Sequence, residues 1–383
     1  MRKFFLILVN IVLVCVISIT LFYIFNKKTE IFAQTNLPAL DKTLNVPILE
    51  KVKEIKRAKP TEREVKGLYL TSYTASLPTK IDDFINFMKN SALNAVVIDI
   101  KDYSGVIAYD SQVDLVKELK NSRNLIKDVP GLIKKLHDNN IYVIARQTVF
   151  QDPELTGKKP AWAVQNSRTG NVWRDYKGLV WADPTNQDVW KYNLDIAKEA
   201  ISLGFDEINF DYIRFPSDGP MSEMRFAGFG GKPKAYVINE FFKYLYENLK
   251  TEPAYISVDL FGLTTERTDD MNIGQQIEDA AIYFDYVCPM VYPSHYPSGY
   301  LDYKNPAEYP YQVVNHALIK GEESIKPIPN LRAKIRPWLQ DFNLGAEYTP
   351  AMVDLQIKAA QEAGTFGYTL WNARNVYTYA PKN

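Results

Sequence analysis

The chain has 383 residues, of which 46% are hydrophobic and 23% charged. That balance supports a large core and excludes a disordered chain. Lys+Arg and Asp+Glu both number 45, which excludes the broad basic field that nucleic-acid binders use.

The first element is apolar. Arg2 and Lys3 precede a 22-residue run from Phe4 to Phe25, interrupted only by Asn10, Ser18 and Thr20, and Lys27 and Lys28 follow it. Roughly twenty apolar residues span a bilayer. No small-residue cleavage site follows Phe25, so residues 1–28 read as an uncleaved signal-anchor, with a cleaved signal peptide as the alternative. No second span follows, so the bulk of the chain is expected to be exported. Residues 29–63 are charged and aperiodic, and read as a linker. Cys15 lies in the apolar run and Cys288 in an expected buried strand, so no disulfide framework is expected.

From residue 64 the pattern becomes regular. Runs rich in Val, Ile, Tyr and Phe predict strands at 65–73, 94–102, 141–150, 207–215, 255–263, 286–294, 335–342 and 366–374. Amphipathic stretches between them predict helices, among them "NQDVWKYNLDIAKEAISLG" and "TPAMVDLQIKAAQEAG". Strands alternating with helices pair in parallel through right-handed crossovers. Eight of them predict a (β/α)8 TIM barrel over 64–383, preceded by the membrane segment and linker. The rival, an open doubly wound sheet, needs a glycine-rich first turn, and "YLTSYTASLP" is not one.

Familiar motifs are missing. "GFGGKPK" (228–234) lacks the glycine spacing of a phosphate loop and a Ser or Thr after Lys232, so no nucleotide is expected. His137, His295 and His316 have no metal-ligand spacing. No metal and no other cofactor is expected, and no G-x-S-x-G elbow occurs.

What remains is acids at strand ends, where a barrel carries its chemistry. Asp211 falls at the end of strand four, Asp259 of strand five and Asp341 of strand seven. Strand two offers Asp99 and Lys101, and strand three Arg146. Alternation puts Asn209 with Asp211, Ser257 with Asp259, and Asp99 with Lys101. Two carboxylates facing one pocket suit glycosidic cleavage, one acting at the oxocarbenium-like centre and one donating a proton. Asp211 and Asp259 are the candidates. Arg146, or Arg214 from the following loop, would hold Asp211 ionised. Asp99 and Lys101 read as an ion pair shaping the mouth. Tyr292, Trp338 and Trp371 follow or end late strands, and flat rings suit the apolar faces of sugars. Trp162, Trp173 and Trp181 lie in a long segment after strand three, as contact surface or as the core of that insertion.

The runs "GLYLTSY", "VVIDIKDYSG", "YVIARQTVFQDPELT", "VWADPTNQDVW", "FDEINFDYIRFPSDG" and "DYVCPMVYPSHYP" resemble a bacterial glycoside hydrolase family first catalogued as a domain of unknown function, within the TIM-barrel glycosidase superfamily. The resemblance runs over about residues 64 to 380. A more distant likeness is to the α-amylase-type clan, which implies Asp211 as nucleophile, Asp259 as acid and Asp341 as third carboxylate. Asn209 stands where that clan has an arginine, and Asp259 where it has a glutamate. The expectation is a glycoside hydrolase acting on an extracellular or envelope polysaccharide, single-pass in the cell membrane, its catalytic domain outside. A catalytically inactive carbohydrate-binding scaffold and a transglycosidase are the alternatives.

Overall fold

The computed structural model describes residues 57–382, apart from 229, 330, 378 and 380. The expected membrane span and residues 29–56 of the expected linker lie outside the described residues. Among those described, no helix is long and apolar enough to cross a membrane.

Eight strand positions alternate with helices. The strands are β1 (Val65–Leu70), β2 (Ala95–Lys101), β3 (Tyr142–Thr148), β4 (Glu207–Asp211), β5 (Tyr255–Phe261) and β6 (Tyr286–Met290). β7 comes in two pieces, Lys334–Ile335 and Trp338–Gln340, and β8 is Gly367–Trp371. The break in β7 falls at Arg336 and Pro337, and Pro337 has no N–H for a ladder. Every neighbouring pair is parallel. β8 returns to β1 from Val65↔Gly367 to Leu68↔Leu370, and β7 meets β6 at Tyr286↔Lys334 and Trp338↔Met290. The sheet therefore closes on itself, which leaves no edge to protect.

The crossover helices are α1 (Pro78–Lys89), α2 (Val129–His137), α3 (Gln187–Leu203), α4 (Lys234–Leu249), α5 (Ile277–Tyr283), α6 (Pro310–Ile325) and α7 (Pro350–Glu362). Local chemistry starts and stops them. In α1, Pro78 opens the first turn, and Ile81, Ile85 and Met88 line its buried stripe. The Asp128 carboxylate accepts from Gly131 N at 2.8 Å to cap α2. Gly204, at φ 113, ends α3 in a conformation that favours glycine.

The two strand faces feed two cores. Val65, Tyr69, Val97, Tyr142, Ile144, Tyr286 and Trp338 pack inside the barrel. Leu68, Val96, Ile98, Val143, Ile208 and Phe210 pack outward, with helix residues such as Ile133, Ile196 and Phe241. The strands end one to four residues earlier than the hydrophobic runs suggest. Apolar residues continue past the last ladder bond because the mouth segments are themselves buried, as Val149, Phe150, Ile213 and Phe215 are.

Residues 57–63 correct the linker boundary. Arg57 donates to the carbonyls of Gly204, Phe205 and Pro253, Tyr255 Oη donates to Pro60 O at 3.1 Å, and Lys334 pairs with Glu62 at 2.7 Å. This segment is docked at the N-terminal ends of β4, β5 and β7.

Candidate active site

Parallel strands buried on both faces are usually apolar throughout. Here their inward positions carry a column of linked polar side chains. At its foot Arg336 and Glu207 form a buried bidentate pair, one limb at 3.0 Å. Ser257 Oγ donates to Glu207. Asn209 Nδ2 donates to Ser257 Oγ at 3.0 Å and to Asp259 Oδ1 at 2.8 Å. Glu207, Asn209 and Asp211 are alternate residues of β4, and Ser257 and Asp259 of β5. Strand alternation therefore builds the column.

Its upper end is a cluster on one arginine. Arg146, on β3, donates to Asp99 Oδ1 at 2.6 Å through Nη1 and to Asp211 Oδ2 through Nη2; its Nε is 3.7 Å from Asp259 Oδ2. Register places Arg146 between Asp99 on β2 and Asn209 on β4, one step from Asp211. One guanidinium thus faces three carboxylates, all at most 4% exposed. Tyr69 Oη also donates to Asp99, and Tyr212 N donates to Asp211 Oδ1 at 2.6 Å.

Burial, and next the charge of Asp211, push Asp259 up to about 8, against the opposing pull of Arg146, Asn209 and Trp338. Burial also raises Asp99, with Arg146 opposing. Separate environments for two carboxyl groups allow one to hold a proton while its neighbour is ionised.

A cavity of about 400 Å³ opens above the cluster. Among the described residues, Asp211 and Asp259 are its only carboxylate lining residues, and Arg146, Arg214, Tyr292, Trp338 and Trp371 share the wall. Trp338 Nε1 donates to Asp259 Oδ1 at 2.7 Å. Trp371 stacks on Tyr69, with centroids 3.9 Å apart. Tyr212 has φ 55, unusual for a residue with a bulky side chain. That turn directly after Asp211 takes the chain out of the strand and brings Tyr212 and Arg214 to the wall.

The structure separates the sequence-derived candidates. Asp211, Asp259, Arg146, Arg214, Tyr292, Trp338 and Trp371 converge on one cleft. Asp99 does not line it and stands behind Arg146. Lys101 is a correction: it points away from Asp99 and the barrel interior. Its ammonium meets Asp152 Oδ2 at 2.7 Å, Thr148 O at 2.9 Å and Asn193 Oδ1 at 3.0 Å, at zero exposure. The cause is a bulge: Asp99 pairs with Arg146 while Lys101 pairs with Gln147, so two steps on β2 match one on β3. Asp341 is also a correction. It follows β7 but does not line the cavity, and burial raises it to about 6. Trp173 is wholly buried and donates to Pro220 O at 3.1 Å, so it is core of the insertion. Trp162 lies at a different surface hollow, while Trp181 sits beside Arg214.

Sequence reasoning missed Glu207, Arg336, Tyr69 and Tyr212. Glu207 was signalled by sharing its face with Asn209 and Asp211; Arg336 had no such signal. Among the described residues no group of three or more His, Cys, Asp or Glu side chains is placed to hold a metal ion.

Comparison with curated proteins found no match. Among solved structures, the PgaB (BpsB) glycoside hydrolase domain from Bordetella bronchiseptica is similar at TM-score 0.57 and 15% identity, over 82% of this chain and 94% of that one. TtGalA, an α-galactosidase from Thermus thermophilus, is similar at TM-score 0.50 and 12% identity, over 83% of this chain and 60% of that one. At such identities the likeness is one of fold. A hypothetical protein from Ruminiclostridium thermocellum ATCC 27405 is 42% identical over 50% of this chain and 96% of its own, at TM-score 0.47. The family described as "Putative glycosyl hydrolase domain" matches residues 67–377, a span that holds the whole barrel from β1's third residue and both cleft carboxylates, and the chain belongs to that family.

Proposed function

We propose that the cleft hydrolyses O-glycosidic bonds in an extracellular or envelope polysaccharide, with Asp211 and Asp259 as the reacting pair. The observation that carries this reading is two carboxylates at one cavity, tied to one arginine, of which Asp259 is raised to about 8. Protonated Asp259 gives its proton to the glycosidic oxygen as the C–O bond breaks, and that oxygen keeps the bonding pair. Asp211 meets the positive charge growing at the anomeric carbon, as nucleophile or as stabilising charge. Water adds to the anomeric carbon and its proton goes to a carboxylate, so each turnover consumes one water. Arg146 donates to Asp211 and aims it. Tyr292, Trp338 and Trp371 offer ring faces to the sugar, and Arg214 offers a cation. Asp99 acts through Arg146 as a positioning residue.

The location follows from the sequence. Phe4–Phe25 has the length and character of a single span. We place the protein in the cell membrane with its barrel outside, and secretion after cleavage is the alternative. The test of the activity is to incubate the full-length chain with envelope and secreted polysaccharides and detect released oligosaccharides by mass spectrometry. Release from at least one polymer is expected. No release from any of them, by protein shown to be folded, contradicts the reading.

A further inference from the structure

The two arginines of the cleft differ in what they face. Arg146 faces three carboxylates, Asp99, Asp211 and Asp259. Arg214 is 8% exposed and lines the same cavity, yet no carboxylate among the described residues lies within ion-pair distance of it. Its Nη1 donates to Phe215 O and Ser217 Oγ, each at 3.1 Å. Its Nε and Nη2 donate to no described group. Arg214 lines the cavity, so this part of the fork stands at the cavity wall.

Aromatic rings hold the guanidinium in place. It lies 4.6 Å from the Trp181 ring centroid, 4.8 Å from Phe261 and 5.4 Å from Tyr212. Rings stabilise a cation without neutralising it or occupying its donors. Of the groups that act on Arg214 through space, Tyr212, Asp211 and Asp175, neither acid makes a direct pair with it. A buried cation without a counter-ion is costly, and burial pulls the pKa of Arg214 down. A guanidinium nevertheless stays charged at neutral pH. A fixed, desolvated fork with two free donors matches the oxygens of a carboxylate or phosphate.

We propose that the substrate is an anionic glycan and that Arg214 receives the carboxylate or phosphate of a sugar bound in the cleft. This rests on the glycosidase reading of the cleft and adds the charge of its substrate. Asp211 and Asp259 disfavour an anion at the reacting centre, so the anionic group belongs on the Arg214 side of the cavity.

The test is binding, read from tryptophan fluorescence, since Trp181 touches Arg214 and Trp338 and Trp371 line the cleft. The full-length chain, in a sugar-free nonionic detergent, is titrated with D-glucuronate, D-galacturonate and D-glucose 6-phosphate, and with D-glucose and D-galactose as neutral controls. At least one anionic sugar should bind on the order of tenfold more tightly than its neutral control, the size of one well-formed charged contact. The uronate and phosphate arms identify which anion it is. Arg214→Gln should reduce anion binding to the neutral level, and Arg214→Lys, which keeps the charge but not the fork, should fall between. Equal binding of neutral and anionic sugars, no binding of any anion, or discrimination that survives in Arg214→Gln overturns the proposal. If the variants do not fold, wild-type discrimination decides it. Cleavage of a neutral polymer without anion discrimination overturns this inference alone. Anion discrimination without cleavage of any polymer overturns the hydrolase reading and leaves Arg214 as an anion site.

Discussion

At the scale of single residues, Asp259 is under opposing influences. Burial and Asp211 favour its protonated form; Arg146, Asn209 and Trp338 favour the ionised one. With the balance near 8, a general acid at this position is protonated at neutral pH and lost above it. Hydrolysis, as kcat/KM, should therefore fall as pH rises through about 8. Trp338→Phe removes the indole donor to Oδ1 and should move that limb to higher pH; a limb that stays in place or moves down counts against Asp259 as the acid. The same shift affects stability. The folded pKa is raised above the ordinary 3.8, so the folded state holds an extra proton between about 4 and 8. Stability from this group is full below that window and lost as pH rises through it. Asp259→Asn should flatten the fall in melting temperature across those pH values. Both acids could be picked from sequence because strand alternation is a rigid rule. Their surroundings could not: Trp338 reaches Asp259 from 79 positions away. The positive φ of Tyr212 has no signature in a Tyr codon position, unlike one at glycine.

At the scale of elements, the β2 bulge decides which polar side chain serves the cleft. Without it, Lys101 would follow Asp99 into the barrel and compete with Arg146 for its carboxylates. With it, Lys101 and Gln147 turn outward together, and Asn193 on α3 binds both. Alternation predicted the opposite because a bulge is one extra residue with no fixed sequence mark. The Lys101–Asp152 pair joins β2 to the helical turn Pro153–Lys158, whose first turn Asp152 also caps through Leu155 N at 2.8 Å. Lys101→Met should leave Asp152 buried without its cation and destabilise the fold by about 3–5 kcal/mol. KM should stay unchanged at temperatures where the variant is folded, because Lys101 is outside the cleft. A raised KM with unaltered melting temperature would return Lys101 to the substrate.

At the scale of the whole molecule, strand number, order and closure were readable because each strand is a distinct apolar run followed by an amphipathic one. The tie between β7 and β4 was not, since Arg336 and Glu207 are 129 positions apart. The same limit hid the docking of residues 57–63, whose charged composition resembles a free linker until Asp206, Asp285 and Lys334 are placed beside it. We propose that the N-terminal run sets the protein's address. If Phe4–Phe25 remains attached as a span, the chain stays in the membrane fraction after an alkaline wash and its mature N-terminus precedes residue 4. A mature chain starting after about residue 30 establishes secretion instead. The central claim is that the column of inward polar residues ends in a charge used for chemistry. Asp211→Asn tests it most directly, with oligosaccharide release and thermal unfolding measured on the same preparation. The amide keeps an acceptor for Tyr212 N, and Arg146 keeps Asp99 and Asp259, so the melting temperature should change by only a few degrees, equivalent to about 1 kcal/mol. Activity should fall by on the order of a hundredfold or more, the scale of a positioned catalytic group. A folded Asp211→Asn protein with full activity contradicts the claim, and one that fails to fold assigns Asp211 to holding Arg146 instead.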